Sequence, residues 1–88
     1  MNAFQSYRLN AVGNAIVTSG SSILGTVNVN TGGASAVLTI YDGTSASGIV
    51  KAVIDASTKS SHGYLILCSN GIYIALSGND ADVTIGYT

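Results

Sequence analysis

His62 is the chain's one imidazole and stands in the stretch Lys59-Ser60-Ser61-His62-Gly63. A histidine beside hydroxyls can act as general base to a serine nucleophile when a carboxylate orients its ring. Twelve serines and four aspartates make such trios available by chance, and no Gly-x-Ser-x-Gly nucleophile elbow is present. Geometry, not inventory, defines a triad, so His62 is expected as a solvent-facing loop residue with no catalytic part. Asp80-Ala81-Asp82, with Asp42 as a third candidate, could offer oxygens to a calcium ion. Calcium wants about six to eight oxygen ligands, and no further acid lies nearby in sequence. Aspartates in tight turns cap local backbone groups, and that is the role expected of these.

Cys68 follows Leu65, Ile66 and Leu67 in a stretch that is apolar on both faces. A cysteine so placed is a small buried hydrophobe, and no activating cation adjoins it. Being the single cysteine, it excludes an internal disulfide. One Cys and one His also fall short of the roughly four ligands of a structural zinc site. The five tyrosines, Tyr7, Tyr41, Tyr64, Tyr73 and Tyr87, are the remaining constellation. Exposed rings stack on sugars or anchor interfaces, while buried ones fill a core with the hydroxyl at the rim. Alternation turns Tyr64 and Tyr87 inward and Tyr73 outward, and the lack of tryptophan weakens a sugar-binding platform. No catalytic, cofactor-binding or metal-ligating residue is therefore assigned, and the chain is not expected to be an enzyme.

What holds these residues in place must be a small fold. A domain of 88 residues buries only roughly 60% of the surface its unfolded chain exposes and needs support. Without disulfide or metal, that support is association with copies of itself. The charge content agrees: 8% of residues are charged, against roughly 25% in ordinary soluble domains. They are Arg8, Asp42, Lys51, Asp55, Lys59, Asp80 and Asp82, giving a net charge of −1. A surface of Ser, Thr, Asn and Gly has little charge to desolvate against a neighbour, which suits a shell or a fibre. Three scattered cations cannot make the basic patch that nucleic acid requires. No apolar run approaches the ~20 residues that span a bilayer. The start Met1-Asn2-Ala3-Phe4-Gln5-Ser6 lacks the pattern of a signal peptide, so synthesis in the cytoplasm is expected.

Apart from alanine, the apolar residues are mainly Val, Ile, Leu and Tyr, and Gly and Asn punctuate them at short intervals. That pattern predicts an all-β domain of about eight short strands, a small antiparallel β-sandwich or jelly roll. The segments are Tyr7 to Val12, Asn14 to Ser19, Ser22 to Asn30, Ala36 to Asp42, Ile49 to Asp55, Tyr64 to Cys68, Ile72 to Leu76 and Asp82 to Thr88. In the third, Ile23, Gly25, Val27 and Val29 are expected inward. In the fourth, both faces are apolar, which predicts a central strand. The fifth sends Val50, Ala52 and Ile54 one way and Lys51 and Asp55 the other. A short helix fits the fifth segment too, but its β-branched content favours strand. Ala56 to Gly63 reads as the longest loop. Asn70-Gly71 is a strong hairpin signal, because both central residues of a type I′ turn need φ > 0. Residues 1–6 form a candidate N-terminal arm and 7–88 one domain. With no proline and three basic residues, the sheet edges are poorly guarded against pairing.

The run Val37-Leu38-Thr39-Ile40-Tyr41-Asp42-Gly43-Thr44-Ser45-Ala46-Ser47-Gly48 is a strand followed by a "YD-x-T-x-A-S-G" pattern. With Asn70-Gly71-Ile72-Tyr73-Ile74-Ala75-Leu76-Ser77-Gly78 and Ala81-Asp82-Val83-Thr84-Ile85-Gly86-Tyr87, it resembles the small β proteins encoded among the structural genes of tailed bacteriophages. The resemblance runs from about Ser22 onward and includes no catalytic or ligand motif. It implies a virion component that oligomerises, often as a trimer: a head decoration (cement) protein, or a module of a head fibre or tail. The expected partners are further copies of the chain and the major capsid protein on the capsid exterior. The alternative is a glycan- or receptor-binding module.

Overall fold

Alternation of branched and aromatic residues with small polar ones produces eight strands in the computed structural model, which describes residues 5–88. They are β1 (Gln5–Leu9), β2 (Gly13–Thr18), β3 (Ser22–Thr31), β4 (Val37–Asp42), β5 (Ile49–Asp55), β6 (Ser60–Cys68), β7 (Ile72–Ser77) and β8 (Asp82–Tyr87). Two four-stranded sheets result, in the orders β1-β8-β3-β6 and β2-β7-β4-β5. Every neighbouring pair is antiparallel. Except between β4 and β5, the chain changes sheet after every strand. That interleaving of two four-stranded sheets is the jelly-roll order.

The core lies between the sheets. Leu24, Val27, Val29, Val83 and Ile85 meet Leu38, Ile40, Ile72 and Ile74 there, all of them fully buried. Cys68 joins this cluster. No buried side-chain polar atom among the described residues lacks a hydrogen-bond partner. β4 sits between β7 and β5, in agreement with a strand apolar on both faces. Among the described residues no helix is long and apolar enough to cross a membrane.

Four expectations need correction. Gln5 and Ser6, assigned to an arm, pair with Tyr87 and Gly86 in β1; residues 1–4 lie outside the described residues. In β3 the register slips at Gly25 against both neighbours, so Leu24 is buried and Ile23 points out. One extra residue at a bulge reverses the phase of everything before it. β5 carries a second slip: Ile40 faces Ala52 while Tyr41 faces Val50, leaving Lys51 as the extra residue. Val50 is thereby expelled from the inner face, while Ala52 and Ile54 keep it. β6 starts at Ser60, so the loop before it spans only residues 56–59.

The Asn70-Gly71 turn is also not a hairpin, because β6 and β7 belong to different sheets. Asn70 has a negative φ and only Gly71 is positive, at 127°, which excludes the type I′ turn. The turn is an arch over the end of the sandwich, tied to the end of β4. Asp42 accepts hydrogen bonds from the Asn70 amide (2.8 Å) and the Ser69 hydroxyl (3.5 Å), and the Gly43 amide donates to the Gly71 carbonyl (3.0 Å).

Candidate interaction surface

The outer face of the β2-β7-β4-β5 sheet is built by the residues that alternate with the core. Ile16, Tyr73, Tyr41 and Val50 are register partners in turn and cross all four strands. Asn14, Ala75, Thr39 and Val53 make the next row. Val37 follows, between Ser77 and Asp55. The only charge in these three rows is Asp55, at the rim. Val53 is 63% exposed, and Ile16 and Val50 are about half exposed. The Tyr41 and Tyr73 rings pack at a centroid distance of 5.8 Å and an interplanar angle of 56°. An antiparallel sheet wetted on one side normally reads apolar inside and polar outside, and Ile16, Val50 and Val53 depart from that pattern here.

The other sheet has a divided outer face. Across most of it polar side chains satisfy one another. Ser61 donates to Asn28 (2.6 Å), and Asn30 donates to Thr84 (2.8 Å). Arg8 grips Asp82 with two bonds of 2.8 and 2.6 Å. Near the β6 edge the polarity ends. Ile23 faces Leu67 in register, and Leu65, two residues along, is 84% exposed.

Two open edges lie beside these apolar groups. β5 and β6 each end a sheet, and only residues 56–59 join them, so their open edges share one flank. β6 runs back past β5, which returns Leu65 and Leu67 to the end where β5 begins with Ile49, itself 69% exposed. Sequence reasoning missed this surface. Its signal was present as strands apolar on both faces, but the bulge at Lys51 hid Val50.

The residues singled out for chemistry do not converge. His62 lies in β6, not in a loop, half-buried, with Nε2 3.1 Å from the Ser60 hydroxyl and its ring stacked on Tyr64. No carboxylate bonds to it among the described residues, so the serine–histidine contact has no third member. Asp80 accepts the Val12 amide (2.8 Å), Asp82 holds Arg8, and Asp42 clamps the β6–β7 turn. Among the described residues no group of three or more His, Cys, Asp or Glu could hold a metal ion. Tyr7, Tyr64 and Tyr87 pack against the core, leaving Tyr41 and Tyr73 as the outward pair.

Two titrations follow from this geometry. Burial, and secondarily the Asp42 charge, push the Cys68 thiol up, so it should not react with thiol reagents in the folded chain. Its labelling rate is expected to follow global unfolding, and rapid labelling under native conditions would contradict that placement. The Arg8 hydrogen bonds hold the Asp82 carboxyl below its ordinary value. A carboxyl depressed on folding stabilises at neutral pH and loses that contribution as pH falls through its folded value. The stability gap between the parent and Arg8→Ala should therefore close on acidification, and also in high salt because the pair is exposed. A gap unchanged by both in denaturation curves would mean that Arg8 acts by packing alone.

No protein-family model and no curated protein matches the chain, which leaves the chemistry of its outer faces as the ground for a functional reading.

Proposed function

We propose that the chain is a structural virion protein, a decoration (cement) protein that binds the outer surface of a tailed-phage head as a homo-oligomer. The observation that carries this reading is the sparsely charged outer face of the β2-β7-β4-β5 sheet with its exposed Ile16, Val50 and Val53, on a chain that has no convergent acid, base or metal set among its described residues. Three copies would be in keeping with the phage proteins that the sequence resembles. Jelly rolls recur in viral capsid and lectin domains, so the fold admits the role without selecting it. The mechanism is linkage: a protein that binds only the assembled shell, across neighbouring major-capsid subunits, stabilises that shell in proportion to its occupancy. Many copies multiply a modest contribution at each site. Purified protein should co-sediment with mature heads and raise the temperature at which they rupture. Heads that neither bind it nor gain heat resistance would end this reading.

A second reading is supported by the Tyr41–Tyr73 pair, an outward aromatic surface of the kind that stacks on sugar rings. It would make the chain a glycan- or receptor-binding module of a head fibre or tail tip. The geometry supports it less well. A depression beside Val37, Val53 and Asp55 holds the only carboxylate on this face. Val37 lies four residues along β4 from Tyr41, about 13 Å away, so rings and carboxylate do not share one sugar. Binding on a glycan array that Tyr73→Ser abolishes would favour this module over a decoration protein.

A further inference from the structure

Four strands end the two sheets: β1, β6, β2 and β5. β1 bears Arg8, which Asp82 holds, and β2 and β6 bear no Lys, Arg, Asp or Glu. β5 bears Lys51 and Asp55, and neither makes an ion pair among the described residues. Ala52 and Ile54 are buried between them, so Lys51, Val53 and Asp55 alternate on the outer side of the strand. Val53, midway between the two charges, is 63% exposed. An edge lysine ordinarily guards a sheet, because a strand laid beside it must face an unanswered charge. Here the answering charge stands on the same strand.

We propose that β5 pairs antiparallel with β5 of a second copy about a two-fold axis through Val53, which joins two β2-β7-β4-β5 sheets edge to edge. This deepens the reading of the chain as a self-associating component and rests on it. The charges select the register. With the axis at Val53, Lys51 stands opposite Asp55 of the second copy and Asp55 opposite that copy's Lys51, while Ala52 meets Ile54. Opposite charges directly across an antiparallel pair attract, and like charges repel. Parallel in-register pairing would set lysine against lysine. A slip of one residue sets Lys51 against Ile54 or Ala56, and a slip of two sets it against Val53 or Ser57. No other edge strand carries an acid to answer Lys51. One occupant in one register therefore satisfies both charges.

Two features of the edge fit this arrangement. The bulge at Lys51 interrupts the ladder there, which limits the pairing to residues 51–55, the span that the two charges bracket. Beside Asp55 lies the depression lined by Val37 and Val53, which admits the Lys51 side chain of the second copy. A lysine stem covers apolar surface while its ammonium reaches a carboxylate. A two-fold contact is isologous and closes at two copies. So short a ladder is weak, and the pair should dissociate on dilution.

Charge reversal tests the register. At high concentration the parent should sediment with the mass of two chains. Lys51→Asp and Asp55→Lys each set like charges across both sites, and each should weaken self-association by about tenfold or more while circular dichroism stays unchanged. Mixed together, the two variants should pair with one another, and the doubly reversed chain should regain self-association. Engineered cysteines read the position of the axis, since buried Cys68 stays out of the chemistry. Val53→Cys brings two Cα atoms to about 4.5–5.5 Å, within reach of a disulfide, and should link to itself under mild oxidation. Val50→Cys lies about 20 Å from its counterpart in this register and should link far more slowly. Equal linking at the two positions overturns the proposal. So does a parent of one or three chains, a single reversal that associates like the parent, or a mixture that fails to pair. Head binding separates this inference from the function on which it rests. A chain that pairs as expected but is refused by heads keeps the contact and loses the decoration role. A chain that heads accept without such pairing keeps that role and loses the contact.

Discussion

Replacing Ile40 by alanine is expected to lower the unfolding temperature by on the order of 10–30 °C. Ile40 is fully buried in β4, a strand flanked on both sides, and its register neighbours are Ile74 and Ala52. Truncating a buried isoleucine removes its transfer free energy and leaves a cavity, together about 2–5 kcal/mol. In a domain of this size each kcal/mol moves the midpoint by roughly 4–8 °C. The loss is large against a total stability near the lower end of the usual ~5–15 kcal/mol. It should be read by thermal circular dichroism at one fixed protein concentration, because association raises the apparent midpoint by mass action. A shift under about 5 °C would mean that the two sheets do not close over this residue.

Gly71→Val should cost about 1–3 kcal/mol without removing any side-chain contact. Its φ of 127° is one that side-chain-bearing residues rarely adopt. A Cβ there would also sit 2.5 Å from the Thr18 carbonyl oxygen and 3.0 Å from that of Gly43. The arch from β6 to β7 has no slack, because Asp42 holds the Asn70 amide and the Gly43 amide holds the Gly71 carbonyl. Gly63→Val provides the control. A Cβ at Gly63 meets nothing within 4 Å, and a β-branched residue suits an exposed strand position. Denaturant midpoints should fall for the first variant and hold for the second; equal midpoints would show that the arch is loose.

Much of the side-chain orientation is legible in the sequence alone. The outward turn of Tyr73 and the inward turns of Tyr64 and Tyr87 followed from alternation alone, and the packing agrees. So did the burial of Cys68. His62 was misplaced because polar Ser60 and Ser61 resemble a loop. In an edge strand they are simply one wet face and one half-covered rim. Ile23 and Val50 were assigned to the wrong side for a different reason. A bulge adds a residue through the geometry of ladder hydrogen bonds, and nothing in side-chain type marks where that happens.

Side-chain periodicity is a local property, so the run of short strands among the described residues was already set by the order of residues. Ile49–Asp55 is the clearest case, since both its limits and its strand character agree with the sequence reading. Which sheet each strand joins is not local. Asn70-Gly71 fits a hairpin and an arch equally well, and the choice fell to distant partners: β3 for β6, and β2 and β4 for β7. The jelly-roll order, and with it the pairing of Ile23 with Leu67 on an outer face, exists only once those long-range pairings have formed.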